Sequence, residues 1–321
     1  MKPQVTTLTL NPAIDQTLEV GKFEINQVNR VNTSRSNAGG KGINVASCLA
    51  DWGISVTASG LLGIDNSEIF TKLFEQKNII DGFIRCNGST RTNIKILNKQ
   101  NNETTDLNMP GLNIAKISRD RLLDRLNKLQ SGSILVLSGS LPKGCPDDFY
   151  SQIMEELAPQ KLRIIVDTSG PALNSILNNK LVKPFMIKPN LHELQTFVGK
   201  ELKQTADIIK VAQKLNASGI ENIVVSLGHE GSLFFGSENV LHATPPTIQS
   251  ESSVGAGDAM VAGLVAAVID GLDLEATAKL ATAFAVGKLG LYGPNLPSRE
   301  TINSLACSVN IHHVQANQIT A

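Results

Sequence analysis

The 321-residue chain reads as an α/β protein with a mostly parallel central sheet and helices on both of its faces. Three observations predict this. Short runs that are apolar on consecutive residues recur along the chain, as expected for strands buried on both faces. Longer amphipathic stretches alternate with them, the pattern of strand–helix–strand units. Turns of glycine and small polar residues follow several runs, at the strand ends where open α/β sheets bind ligands.

In chain order, strands are expected over 5–10, 55–61, 134–138, 163–167, 185–188, 222–227 and 232–235. Between them the 3.6-residue pattern predicts helices over 42–52, 118–130, 147–157, 205–217 and 259–270, with a last one over 274–289. Two segments break this rhythm. Residues 17–33 and 91–107 are polar, rich in Asn and Thr, and alternate with period two through Leu18 and Val20, then Ile94 and Ile96. They read as exposed strands of a small separate sheet, formed by about 17–33 and 91–110, that could act as a lid or a dimer surface. No linker or repeat divides the chain, so residues 1–321 are expected to form one domain. The stretch after about 303 carries no strong pattern.

Composition narrows the function classes. Lys and Arg number 29 and Asp and Glu 29, so no basic surplus supports a nucleic-acid or anionic-membrane partner. Hydrophobic residues make up 41% and aromatics only 4%, so the core must be built from Ile, Leu, Val and Ala. Cys48, Cys86, Cys145 and Cys307 lie far apart and show no metal-ligand spacing. The first residues lack the apolar core of a signal peptide, and no apolar span is long enough for a membrane helix. A reduced cytoplasmic protein is expected.

The run Val254-Gly255-Ala256-Gly257-Asp258, followed by small apolar residues, is the most informative motif. It reads as a glycine turn opening a buried helix, whose free N–H groups attract an anion. Asp258 adds an anionic acceptor at the same place. That pairing suits phosphoryl transfer, although an acidic residue can simply favour a helix start. A second glycine site, Gly39-Gly40-Lys41-Gly42-Ile43-Asn44, also precedes a helix. It is neither a Walker A loop, since position 35 is Arg and 42 is Gly, nor a dinucleotide fingerprint, whose glycine spacing differs. Close backbone approach with Lys41 and Asn44 suits a polyhydroxylated anion; a tight turn with a solvated lysine is the simpler alternative.

Other candidates sit at strand ends. Asp15, in Asn11-Pro12-Ala13-Ile14-Asp15, can accept bonds from two sugar hydroxyls or merely belong to a turn. Arg91, in Arg91-Thr92-Asn93, has the planar fork that suits a phosphate. The segments Ser138-Gly139-Ser140, Asp167-Thr168-Ser169 and Lys188-Pro189-Asn190 place small polar groups on one sheet edge. Asn190 and Glu193 could hold a hydrated Mg²⁺ or form a helix capping box. Ser226-Leu227-Gly228-His229-Glu230-Gly231 could be a hairpin turn or leave room for a flat base.

In this order the elements resemble the PfkB group of ribokinase-like carbohydrate kinases, from Thr9-Leu10-Asn11-Pro12-Ala13-Ile14-Asp15 to Val254-Gly255-Ala256-Gly257-Asp258. The resemblance covers nearly the whole chain and rests on both glycine motifs. It implies a three-layer αβα fold with a β lid. It further implies ATP as co-substrate, Mg²⁺, and a small phosphorylated sugar as acceptor. Thr90-Arg91-Thr92-Asn93-Ile94-Lys95 and Glu103-Thr104-Thr105-Asp106-Leu107-Asn108 are similar to the 1-phosphofructokinase branch, whereas Met109-Pro110-Gly111 is closer to 6-phosphofructokinases.

By that resemblance Asp258 is the general base, and the amides of Gly255, Ala256 and Gly257 form an anion hole. Asp15, Gly39, Gly40, Lys41, Asn44, Asn93 and Ser140 would bind the sugar, and Arg91 with Lys41 its phosphate. Lys188, Ser226, Gly228 and Gly231 would lie at the nucleotide, with Asn190 and Glu193 organising Mg²⁺ through water. A homodimer through the lid strands is a further expectation. The alternatives are a 6-phosphofructokinase or tagatose-6-phosphate kinase, a non-catalytic sugar-phosphate sensor, and, more remotely, a dinucleotide-dependent oxidoreductase.

Overall fold

A computed structural model describes residues 3–236, 239–246 and 254–314. β1 (Val5–Thr9) is followed by β2 (Ala13–Val20) and β3 (Val31–Gly39), and Gly40 alone separates β3 from α1 (Lys41–Asp51). Next come β4 (Val56–Gly63), α2 (Glu68–Lys77), β5 (Ile80–Cys86), β6 (Arg91–Asn98) and β7 (Glu103–Asn108). The middle of the chain forms α3 (Lys116–Leu126), β8 (Ile134–Ser138), α4 (Phe149–Glu156), β9 (Arg163–Asp167) and α5 (Gly170–Asn178). Then follow β10 (Met186–Ile187), α6 (Leu191–Val198), α7 (Thr205–Ala217), β11 (Asn222–Ser226), β12 (Ser232–Phe235) and β13 (Val240–Thr244). α8 (Ala256–Asp270), α9 (Leu274–Lys288), α10 (Arg299–Cys307) and β14 (Asn310–His313) complete the described chain.

One ten-stranded sheet runs in the order β14-β13-β12-β11-β10-β9-β8-β1-β4-β5. It is parallel from β11 to β5 and antiparallel from β11 to β14. Consecutive apolar residues in its strands serve two cores. Ile134 and Val136 pack in one cluster with α1, α8 and α9; Leu135 and Leu137 pack in the other with α3 to α7. Each fully buried Leu, Ile or Val contributes about 1.5–3 kcal/mol, so both faces hold the sheet. α8 is buried nearly all round, and Gly263 lets it approach α9: a Cβ there would lie 2.8 Å from the Ala281 Cα. Among the described residues no helix is long and apolar enough to cross a membrane.

The second sheet has four strands, β3-β2-β6-β7. Its two outer pairings are antiparallel, and β2 pairs with β6 in parallel. Its boundaries differ from the expected 17–33 and 91–110. β2 begins at Ala13, and a separate strand begins at Val31. The first six residues of β3 are all exposed, so they carry no alternation to read. Asp15 is therefore the third residue of a lid strand rather than part of the turn after β1. The strand expected over 185–188 shrinks to two residues, flanked by Pro184 and Pro189, which cannot donate to a ladder. α2 escaped sequence reading because it buries only Phe70 and Phe74.

Candidate active site

α8 opens on Gly255, whose φ of 80° lies in the left-handed region that favours glycine. No side chain caps the helix, and the Ala259 amide closes its first turn on the Gly255 carbonyl at 2.9 Å. The amides of Ala256 and Gly257 precede that bond and lie at the positive end of the helix. Asp258 is buried, and the Asn44 amide donates to its Oδ2 at 2.7 Å. Burial, and then the neighbouring Asp167, push the Asp258 carboxyl up to about 6, against Asn44, Lys41 and Lys188, which pull it down. A carboxylate poised there is a competent base near neutral pH.

Asp167, at the end of β9, joins two lysines. Lys188 Nζ lies 3.2 Å from its Oδ1. Lys41 Nζ lies 3.4 Å from both oxygens, with hydrogen-bond geometry only toward Oδ1. Burial alone would raise the Asp167 carboxyl, but Lys188 and then Lys41 hold it below the ordinary range. Burial likewise works against the Lys41 charge, yet Asp167, Asp258 and Glu193 leave its pKa raised. Lys188 also reaches the glycine turn: a Cβ on Gly257 would stand 3.6 Å from its Nζ. Strand β9, helix α1 and the β10–α6 turn thus converge on the start of α8.

The lid supplies a second group. Asn93 in β6 donates to Asp15 Oδ1 at 3.1 Å across the parallel β2–β6 register. The bare Gly39 makes room for this carboxylate, since a Cβ would fall 2.1 Å from Asp15 Oδ2 and displace it. Arg91 spends its guanidinium on main-chain oxygens, donating to Asn11 at 3.2 Å, Pro12 at 3.4 Å and Met109 at 3.5 Å. It anchors the lid to the turn after β1. Ser140 accepts a hydrogen bond from Asn11 at 3.1 Å, tying the β8 edge to the same turn. Gly40, with φ 123°, packs against Thr9 and Pro12.

Asn190 and Glu193 form a reciprocal capping box at α6, each donating its amide to the other's side chain at 2.8 Å. Asn190 bridges Ser226 in parallel, which sets the ends of β10 and β11 side by side. β11 and β12 form an antiparallel hairpin. Gly231 serves it structurally, because a Cβ there would collide with the Ala243 carbonyl at 2.0 Å. Gly228, with φ 66°, faces open space.

In the sequence Asp167 reads only as a polar strand end. Its signal was a carboxylate closing the apolar run Ile164-Ile165-Val166. Asn11 shows in the sequence only as the start of the Asp15 turn, and nothing in the sequence marks Lys288 as a neighbour of the site.

The pfkB family carbohydrate kinase model matches residues 8–301. The chain belongs to this family. Its PfkB relatives include the 1-phosphofructokinase of Xanthomonas campestris pv. campestris, 44% identical over 90% of this chain and 92% of the relative. The 1-phosphofructokinase of Rhodobacter capsulatus is 40% identical, covering 97% of this chain and 98% of the relative. Among solved structures, phosphofructokinase-2 from Escherichia coli in complex with substrates and products superposes with a TM-score of 0.88. It is 30% identical, and the match covers 95% of this chain and 99% of that one. The ribokinase-like fold expected from the motifs is thereby shown for this PfkB chain.

Proposed function

We propose that the chain transfers the γ-phosphoryl group of ATP to the free primary hydroxyl of fructose 1-phosphate, giving fructose 1,6-bisphosphate. The observation that carries this reading is the buried Asp258 carboxylate in the first turn of α8, held by Asn44 beside a glycine helix start that no side chain caps. Asp258 takes the acceptor proton as the hydroxyl oxygen attacks the γ-phosphorus, and the bond to the β–γ bridging oxygen breaks to release ADP. The amides of Gly255, Ala256 and Gly257 receive the charge on the transferring group. Lys188, Ser226 and Gly228 face the nucleotide. Asp15, Gly39, Gly40, Lys41, Asn44, Asn93 and Ser140 hold the sugar. Arg91 carries five N–H donors, so its carbonyl contacts leave capacity for the phosphate already on the acceptor, shared with Lys41.

Mg²⁺ fits Asn190 and Glu193 in donor chemistry. The capping box uses Glu193 Oε2 and Asn190 Oδ1, and Glu193 is close enough to Lys41 to raise its pKa. When bound, Mg²⁺ supplies charge that offsets the ATP phosphates, while keeping most of its water ligands. The lid would exclude water from the acceptor site. The exposed Ile25 and Val28 in the β2–β3 loop and Leu107 in β7 support a homodimer through the lid; a monomeric mass in light scattering would remove that part.

A second reading, phosphorylation of fructose 6-phosphate, draws on the similar phosphofructokinase-2 from Escherichia coli in complex with fructose-6-phosphate, with TM-score 0.88 and 30% identity. The two ketohexose phosphates are nearly pseudo-symmetric and yield one bisphosphate, so one pocket could hold either in opposite senses. A coupled assay of kcat/KM for fructose 1-phosphate, fructose 6-phosphate and tagatose 6-phosphate decides between them. Binding of a phosphosugar without ATP consumption would instead indicate a sensor.

A further inference from the structure

Lys288 is the last residue of α9 and is 5% exposed. Cations favour helix C-termini, but long side chains normally carry their charge out to water. This ammonium points inward. Its Nζ donates to the Leu291 carbonyl at 2.7 Å, in the turn that follows α9. It also lies against the Gly255 turn: a Cβ on Gly255 would stand 3.2 Å from Lys288 Cε and 3.9 Å from Nζ. The bare glycine lets the turn rest on this side chain.

Among the described residues, Lys288 forms no ion pair with a carboxylate. Burial lowers its pKa, Cys48 and Asp258 offset this only in part, and the Lys77 charge lowers it further. A buried lysine without a paired carboxylate costs stability, and an apolar side chain of similar length would fill the space without that cost. Packing therefore does not account for the residue. Its place beside the turn that opens α8 does.

We propose that Lys288 is a positioning residue for phosphoryl transfer: its ammonium, fixed on the Leu291 carbonyl under Gly255, shapes the turn and places positive charge behind its amides. The inference rests on reading that turn as the anion hole. A preorganised charge in a site of low polarity acts most strongly where negative charge gathers in the transition state. Its removal should therefore lower kcat more than it raises KM.

The test uses the full chain with ATP, Mg²⁺ and fructose 1-phosphate. Lys288→Met keeps the packing without charge, and Lys288→Gln keeps a donor for the Leu291 carbonyl. Both are expected to fold as the parent by circular dichroism and to lose about 10–100-fold in kcat, with KM for the sugar phosphate changed by no more than about twofold. Lys288→Ala is assayed with propylammonium, which can refill the space with a charge, and with 1-propanol, which refills it without one. Rescue by the amine alone is expected. Parental kcat in Lys288→Met or Lys288→Gln overturns the inference, as does equal rescue by the alcohol. Failure of all three variants to fold assigns Lys288 to stability and overturns it too. A parent chain inactive on every phosphosugar removes the kinase reading itself; an active parent with an active Lys288→Met removes only this inference.

Discussion

The Asn44 amide donates to Asp258 Oδ2 at 2.7 Å, joining residues 214 apart in the chain. One belongs to the helix that follows the first hairpin of the lid, the other to the helix that opens on Gly255. The bond holds one carboxylate oxygen and lowers a pKa that burial and Asp167 raise.

Asp258→Asn should keep this bond, since an amide oxygen also accepts, and lose the base. A fall of about 10²–10⁴-fold in kcat is expected. Stability should move the other way. The rise from 3.8 to about 6 costs the folded state about 3 kcal/mol at neutral pH. The native form holds its proton through that window while the unfolded form has released it, so stability falls as pH rises from 4 to 6. The variant should therefore melt higher than the parent at pH 8 and nearly alike at pH 3.5. Calorimetry at the two pH values checks this, and an unchanged Tm at pH 8 would contradict the buried charge.

The acid limb of kcat/KM for the parent should bend near pH 6, where Asp258 gains its proton. Asn44→Ala removes a group that favours the charged form, so the bend should shift to higher pH. An unmoved bend would show that another group titrates there.

Gly39→Ala would place a methyl 2.1 Å from Asp15 Oδ2. The Asp15 side chain is exposed and can shift, so the fold should survive while Asp15 and its Asn93 partner move. KM for the sugar phosphate should rise on the order of tenfold, with KM for ATP little changed. Equal changes for both substrates would argue against Asp15 as an acceptor ligand.

Two glycines of the β11–β12 hairpin should separate. Gly231→Ala forces a methyl to 2.0 Å from the Ala243 carbonyl at φ 95° and should cost about 2–4 kcal/mol in urea unfolding. Gly228→Ala meets no atom within 4 Å, so only its left-handed φ of 66° is strained, at about 1 kcal/mol. Similar costs at both sites would rule out the steric account.

Much of the main sheet is legible because its strands are buried on both faces: 134–138, 163–167 and 232–235 are found with their expected bounds. The lid is legible only where it alternates; the uniformly exposed start of β3 carries no such signal. In the site, Asp258, Lys41 and Asn44 stand out because glycines adjoin them. Asp167 does not, since its role depends on Lys41 and Lys188 brought in from other elements. Lys288 reads as an ordinary cation ending a helix, and only the tertiary fold turns its ammonium under Gly255.

The small sheet is tethered tightly at both ends of its first hairpin. Only Leu10, Asn11 and Pro12 separate β1 from β2, and only Gly40 separates β3 from the helix that carries Lys41 and Asn44. Such tethers have little slack. A sugar phosphate that drew this sheet inward would pull on the root of α1, and through Asn44 on Asp258. Acceptor arrival and alignment of the proton-accepting oxygen would then travel one mechanical path, leaving ATP least exposed to idle hydrolysis when no acceptor is seated.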